Sequence, residues 1–240
     1  MHSLEAKNLS KYYGSKEAVK NLSIFVNTNE IVGLLGPNGA GKTTTFYMIV
    51  GIIKPDNGTI FLDDKDITKL PMYQRARMGL SYLPQEPSIF KKLSVEDNIR
   101  AILEIRGLKG SQIDSEVDRL LNEFNLKGLE KAEAYKLSGG ERRKTEIARA
   151  IATDPIFILF DEPFTGIDPI AIMELKKLLN YLKKKGLGIL ITDHNVRDTL
   201  SITDRAYIIN NGEILKEGSP DVIVEDVRVR EAFLGEEFRL

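Results

Sequence analysis

No cysteine occurs in the 240 residues, which excludes disulfides and thiolate metal sites and fits a reducing compartment. Histidine is nearly missing too: His2 and His194 are the only two, too few for a histidine metal cluster. No apolar run approaches the ~20 residues that span a bilayer, and Met1-His2-Ser3-Leu4-Glu5 lacks a basic stretch followed by an apolar core. The expectation is a cytoplasmic chain with no direct membrane insertion. An excess of charge of either sign is also lacking. With 34 basic and 35 acidic residues the net charge is −1, so bulk electrostatics do not draw the chain to nucleic acid or anionic lipid. Nucleic acid is not an expected partner, and whatever binds must be chosen by local surface.

What is present starts with 42% hydrophobic residues, enough to bury the core of one α/β domain with a smaller satellite. Within it, Gly36-Pro37-Asn38-Gly39-Ala40-Gly41-Lys42-Thr43 fits the phosphate-loop pattern G-x-x-x-x-G-K-[ST] at every fixed position. The apolar run Ile31-Val32-Gly33-Leu34-Leu35 predicts a buried strand before it, and the segment from Thr44 to Val50 predicts a helix after it. Gly36, Gly39 and Gly41 let backbone N–H groups converge on phosphate oxygens at the positive end of that helix. Lys42 would reach the β- and γ-phosphates and Thr43 would ligate magnesium, so residues 36–44 are the expected seat of ATP and Mg2+.

Short strands are expected over 4–10 and 21–26, joined by a turn at Lys11-Tyr12-Tyr13-Gly14-Ser15 whose tyrosines either pack or offer a platform for an adenine ring. Gly58–Asp63 predicts a further strand, and Pro71 opens a helical segment at 72–77. A strand beginning at Gly79 is stopped by Pro84 and Pro87, leaving Gln85 on a loop, as a plain loop residue or as an amide ligand for magnesium. Ser94-Val95-Glu96-Asp97 resembles a helix start, and Ile113, Val117, Leu120, Leu121 and Phe124 recur at helical spacing, so 94–135 is expected to be helical and free of strands.

Leu137-Ser138-Gly139-Gly140-Glu141 has the spacing of a capping box, which accounts for Ser138 and Glu141 but not for two consecutive glycines. Glycines that allow close approach, beside a hydroxyl at a helix N-terminus, suit a phosphate. Ile156-Phe157-Ile158-Leu159-Phe160 predicts a buried parallel strand ending in Asp161 and Glu162, at the sheet edge where such folds bind ligands. Asp161 would hold magnesium through its water shell and Glu162 would take a proton from the attacking water. The run Leu187–Thr192 brings Asp193-His194-Asn195 to the same edge, where His194 either contacts the γ-phosphate or neighbours a helix cap. An Asn-Gly hairpin is expected over 206–215 and helix over 219–234. Phe238-Arg239-Leu240 follows an acidic pair and could dock on a neighbouring subunit or on the chain's own surface.

The succession GPNGAGKT, Gln85, LSGGE, IFILFDE and His194 resembles the nucleotide-binding domain of ABC transporters over nearly the whole chain. That resemblance implies one ABC ATPase domain over 1–240: an α/β phosphate-loop NTPase core with a mostly parallel sheet, an N-terminal antiparallel β portion, and an α-helical subdomain at roughly 87–150. It also implies that Tyr13 stacks adenine, Gln85 forms the Q-loop, Ser138, Gly139 and Gly140 contact nucleotide as the signature, and Lys42, Glu162 and His194 serve hydrolysis. Thr165-Gly166-Ile167-Asp168 matches the D-loop, departing from the common S-A-L-D at three positions. The implied assembly is a homodimer beneath two integral-membrane subunits, contacted near Gln85 and Phe90, on the cytoplasmic face of the inner membrane. Phe90 reads equally well as a loop anchor. Within the family, stretches such as GLGILITDHNVR and the ending LGEEFRL resemble ATPase subunits of lipopolysaccharide exporters; branched-chain amino-acid importers share the Asp-His-Asn. A soluble ABC protein acting on ribosomes or DNA would call for tandem ATPase domains, a coiled-coil insertion or a basic tail, none of which is seen.

Overall fold

Alternation writes the first two strands. β1 (Ser3–Tyr13) begins with Leu4 and Ala6 inward before its register shifts beyond Ala6, and in β2 (Lys16–Asn27) inward Leu22, Ile24 and Val26 alternate with outward Asn21, Ser23 and Phe25, the period of a half-buried sheet. β1 runs through both tyrosines, so the turn is only Gly14-Ser15, shorter than the sequence reading; Gly14 adopts φ 59 there. A computed structural model describes residues 1–235 and 238. β3 (Ile31–Leu35) is buried at all five positions and leads through the phosphate loop into α1 (Lys42–Val50), which stops at the left-handed Gly51. Next come β4 (Asn57–Leu62), β5 (Lys65–Asp66), α2 (Met72–Arg77) and β6 (Leu80–Leu83). β2, β1, β4 and β5 form, in that order, a four-stranded antiparallel sheet.

The far end of α1 is closed by Arg75 of α2. Its guanidinium, 1% exposed, donates to the carbonyls of Met48 (2.7 Å), Ile49 (2.6 Å), Leu70 (2.9 Å) and Thr68 (2.9 Å). Burial lowers its pKa to about 10, so it stays cationic at neutral pH and complements the negative end of the helix.

Contacts divide the chain into two compact units, Met1–Tyr82 with Ile156–Leu240, and Leu83–Pro155. The second is helical: α3 (Val95–Ile105), α4 (Ser111–Glu123), a 3-10 turn at Ala134–Lys136, and α5 (Gly139–Ile151). Ser94 caps α3 by accepting from the Asp97 N–H at 3.0 Å, and Ile113, Val117, Leu120 and Leu121 are the buried face of α4. The stretch 94–135 contains one isolated antiparallel bridge, Ser94 to Glu133, where no strand pairing was expected.

The first unit resumes with β7 (Phe157–Asp161), α6 (Pro169–Lys184), β8 (Gly188–Thr192), α7 (Val196–Leu200), β9 (Arg205–Asn210) and β10 (Glu213–Gly218). The second sheet has the order β10-β9-β3-β8-β7-β6, with β3 parallel to both β8 and β9, and β7 parallel to β8. Parallel pairing puts the carboxyl ends of β3, β7 and β8 side by side. The helix expected over 219–234 is broken: α8 (Pro220–Glu225) ends at Asp226, whose ψ of 118 is extended, before the short α9 (Val227–Val229) and a π turn at Arg230–Leu234. Asp226 breaks the run because its carboxylate caps the next turn, accepting from the N–H of Arg228 at 3.0 Å and of Val229 at 3.3 Å. Phe238 packs against the small apolar cluster that includes Leu200, Ile223 and Val229, with the Arg197 guanidinium 5.7 Å from its ring centre; Arg239 and Leu240 lie outside the described residues. Among the described residues no helix is long and apolar enough to cross a membrane.

Candidate active site

β3 delivers the phosphate loop against neighbouring backbone. At Gly36 (φ 151) a Cβ would stand 2.1 Å from the Ile209 carbonyl oxygen, and at Gly41 (φ 109) 2.7 Å from that of Ala18, so neither position admits a side chain. Ala40 is buried, and its carbonyl accepts from the Gly212 N–H at 2.9 Å, so the Asn211-Gly212 hairpin turn braces the loop from below. Lys42, 7% exposed, folds its ammonium onto the loop and donates to the carbonyls of Gly36 (2.7 Å) and Pro37 (3.0 Å). Burial lowers its pKa while the charges of Glu162 and Asp161 pull it back up. The first turn of α1 carries no acidic residue, leaving the positive helix end uncompensated.

The loop floors a cleft of ≈ 290 Å3 lined by Tyr13, Lys16, Ala18, Asn38, Gly39, Gly41, Lys42, Thr43, Thr44, Glu162 and His194. The sequence reading did not include Lys16 or Ala18, which enter because β2 leaves the turn directly after Tyr13 and runs past the loop. Gly36, Pro37 and Ala40 belong to the loop but not to the cleft lining. Tyr13 is 52% exposed at the rim, with the Lys11 ammonium 6.0 Å from its ring centre.

Behind the cleft, Asp161 ends β7 and is 5% exposed. One carboxylate oxygen accepts from the Thr192 hydroxyl at 3.0 Å and the other from the Tyr82 hydroxyl at 3.1 Å. Burial first, then the Asp161 charge, pushes the Tyr82 phenol pKa well above its ordinary value and keeps it a donor. Glu162 follows in the left-handed region (φ 47), with its N–H donating to the Thr192 carbonyl at 2.8 Å. Its side chain reaches the cleft, where Oε1 lies 2.6 Å from His194 Nε2 and Oε2 accepts from the Thr165 hydroxyl at 3.4 Å. A carboxylate beside an imidazole, next to a lysine and a curl of backbone N–H groups, can accept a proton from water while an anion is held.

The remaining predicted residues belong to the helical unit. Gln85 is exposed on the loop after β6. Ser138 caps α5 in a complete capping box, its hydroxyl accepting from the Glu141 N–H at 3.3 Å while Glu141 accepts the Ser138 N–H at 2.9 Å. At Gly139 and Gly140 a Cβ would meet open space, so no atom of this chain requires glycine at either. Phe90 is a loop anchor: Asn98 holds its backbone by accepting the N–H at 2.9 Å and donating to the carbonyl at 3.1 Å, while the ring is 44% exposed with the Arg149 guanidinium 4.5 Å above it.

Comparison with known proteins follows the same lines. The family model described as ABC transporter matches residues 19–165. The lipopolysaccharide export system ATP-binding protein LptB of Acidithiobacillus ferridurans is 53% identical over 99% of this chain and 98% of its own length. The LptB of Escherichia coli (strain K12) is 52% identical over 100% of both. Among solved structures, the ADP conformation of an ATP-binding cassette of an ABC transporter superposes with a TM-score of 0.87 at 31% identity, covering 98% of this chain and 100% of that one. A nucleotide-free cassette gives 0.86 at 30%, with the same coverage.

Proposed function

This chain belongs to the ABC transporter family, and on that footing we propose that it hydrolyses ATP to drive the export of lipopolysaccharide. The observation that carries the hydrolytic half is the 2.6 Å contact between Glu162 and His194 over the phosphate loop. The transported substrate rests on likeness to the lipopolysaccharide export subunits, which extends over essentially the full length of both chains.

In this reading the phosphates lie on the N–H groups of residues 36–44, Tyr13 stacks on the base, and Lys42 exchanges its two loop carbonyls for β- and γ-phosphate oxygens. Thr43, open to the cleft, and Asp161, a buried carboxylate, are hard oxygen donors of the kind magnesium takes, and by the family pattern Gln85 adds an amide oxygen. When bound, the ion neutralises charge on the phosphate oxygens. Glu162 accepts a proton from a water whose oxygen attacks the γ-phosphorus, the bond to the β,γ-bridging oxygen breaks, and its electrons leave with ADP. His194 steadies Glu162 and the γ-phosphate.

The working unit in this proposal is a homodimer in which Ser138, Gly139 and Gly140 of a second copy cover the nucleotide. Two observations favour it: the ≈ 290 Å3 cleft is at the lower limit for a site that encloses its ligand, and both glycines are free of any need within their own chain. Two integral-membrane subunits would dock near Gln85 and Phe90, holding the dimer on the cytoplasmic face of the inner membrane. The test is a strain depleted of its own lipopolysaccharide-export ATPase, supplied with this chain or its Glu162→Gln variant at matched levels. Growth restored by the wild type alone supports the proposal. Failure of the wild type alongside compatible membrane subunits overturns the lipopolysaccharide assignment in favour of another transport substrate, branched-chain amino acids first.

A further inference from the structure

The carboxyl end of β8 grips the segment that bears Glu162 at several points. Thr192 is the register partner of Asp161. Its hydroxyl donates to the Asp161 carboxylate at 3.0 Å and its carbonyl accepts the Glu162 N–H at 2.8 Å. The next residue, Asp193, is 1% exposed and continues the grip in two directions. Oδ2 accepts the N–H of Phe164 at 2.7 Å, two residues beyond Glu162, and Oδ1 accepts the N–H of Asn195 at 2.8 Å, one residue beyond His194. Asn195 then fixes α7, its side-chain oxygen accepting the Asp198 N–H at 3.2 Å. The backbone on the far side of Glu162 and on the far side of His194 is therefore tied to one carboxylate.

We infer that Asp193 is a positioning residue for hydrolysis, a buried clip that sets the spacing between the Glu162 loop and the His194 loop. The inference rests on the reading of Glu162 as the proton acceptor and of His194 as the group that steadies it and the γ-phosphate. Packing alone does little to fix the imidazole, whose side chain is 49% exposed, so its placement against Glu162 depends on the backbone that carries it. A carboxylate suits the task because it offers an acceptor to each of two N–H donors from separate loops. An asparagine offers only one, and its amide would face the other N–H donor to donor. Burial raises the Asp193 pKa, and the two N–H bonds and His194 oppose that shift. Lys42 and the loop glycines are not among its hydrogen-bond partners, so nucleotide binding is spared when the clip is lost.

The test is a double-mutant cycle on the purified full-length chain, read by single-turnover ATP hydrolysis with enzyme in excess, ATP affinity and melting temperature. Asp193→Asn is expected to lower the hydrolysis rate about 10- to 100-fold, the scale of a displacement near 1 Å, with ATP affinity within about 2-fold of wild type. If the clip acts through the spacing of the pair, the same substitution in a His194→Ala background costs less than about 3-fold. An equal factor in both backgrounds, or a wild-type rate for Asp193→Asn, overturns the inference. If Asp193→Asn does not fold, Asp193→Ser, smaller and with no donor amide to clash, carries the same cycle. Amide exchange of the wild type adds a reading that needs no variant: Phe164 and Asn195 are expected to be protected, and free exchange at either removes the clip. Glu162→Gln and His194→Ala alone separate the two levels. If both keep hydrolysis near wild type, the reading of the pair has failed; if both lose it while Asp193→Asn does not, only the clip has failed.

Discussion

At the scale of single residues, the consequence turns on which atoms of Glu162 and Asp161 are held. Glu162→Gln keeps the shape that meets His194 at 2.6 Å but removes the basic oxygen. Hydrolysis should fall at least about 100-fold with ATP binding retained, as measured by phosphate release beside equilibrium nucleotide binding. Tyr82→Phe deletes the donor that holds one Asp161 oxygen at 3.1 Å. Partners of this kind are worth about 10- to 100-fold in metal affinity. The expected result is a raised Mg2+ requirement for ATP-dependent thermal stabilisation and for turnover, relieved at saturating Mg2+. The cleft positions of Lys42 and Thr43 were legible from the phosphate-loop spacing and those of Glu162 and His194 from the apolar strands that end just before them, whereas Tyr82 was not. A tyrosine inside an apolar strand reads as packing, and only the sheet order, with β6 beside β7, brings its hydroxyl to Asp161. Asp193 escaped notice for the same reason: both its donors come from loops, one of them 29 residues away.

Elements show the same division between local and non-local causes. β3, α1, β7 and β8 follow from apolar runs with turn signals at their ends, and the Ser94 and Ser138 caps from spacing alone. The role of the Asn211-Gly212 turn in bracing Ala40 had no sequence signal, because the turn chemistry that makes a hairpin says nothing of what its tip touches. Arg75 is similar: inside a short helix it reads as a surface charge, yet it satisfies four carbonyls. Arg75→Met strands them away from water and should cost on the order of 3 kcal/mol, seen as a lowered midpoint in denaturant unfolding.

Asp226 explains why the helix expected over 219–234 breaks, and it gives that break a pH dependence. The Lys216 ammonium at 3.1 Å, then Arg228 and the Val229 N–H, hold its carboxyl at about 2 against an ordinary 3.8. A depressed folded pKa gives stability that is fully present above the unfolded value and lost as pH falls through the folded one. Asp226→Asn should therefore melt below the wild type at pH 7, and the gap should narrow as pH drops from about 4 towards about 2.

For the whole molecule, the antiparallel sheet, the parallel sheet and the helical unit were all expected, individual strands and helices from periodicity and their arrangement from the resemblance to ABC nucleotide-binding domains. What a single chain withholds is why Gly139 and Gly140 are glycines, because a Cβ at either position meets only open space. The proposed sharing of sites between two copies makes a sharp prediction. Chains carrying Lys42→Ala and chains carrying Ser138→Arg are each expected to be inactive alone. Mixed, they form heterodimers with one site damaged twice and one site intact, so ATPase activity should return to as much as about half the wild-type value per heterodimer. Activity that stays at background although heterodimers are confirmed by differential tagging would count against a site built from two copies.

The left-handed backbone at Glu162, φ 47, also constrains how this site can decay in evolution. Asparagine, aspartate and glycine visit that region readily, whereas β-branched residues do so only under strain. A lineage that loses hydrolysis while keeping a folded, nucleotide-binding site should thus drift first to Gln, Asn, Asp or Gly at this position. Val, Ile or Thr there would disturb the peptide that links Asp161 to Phe164 and erase the fold of the site together with its chemistry, so the two kinds of degenerate copy should be separable by eye from their sequences.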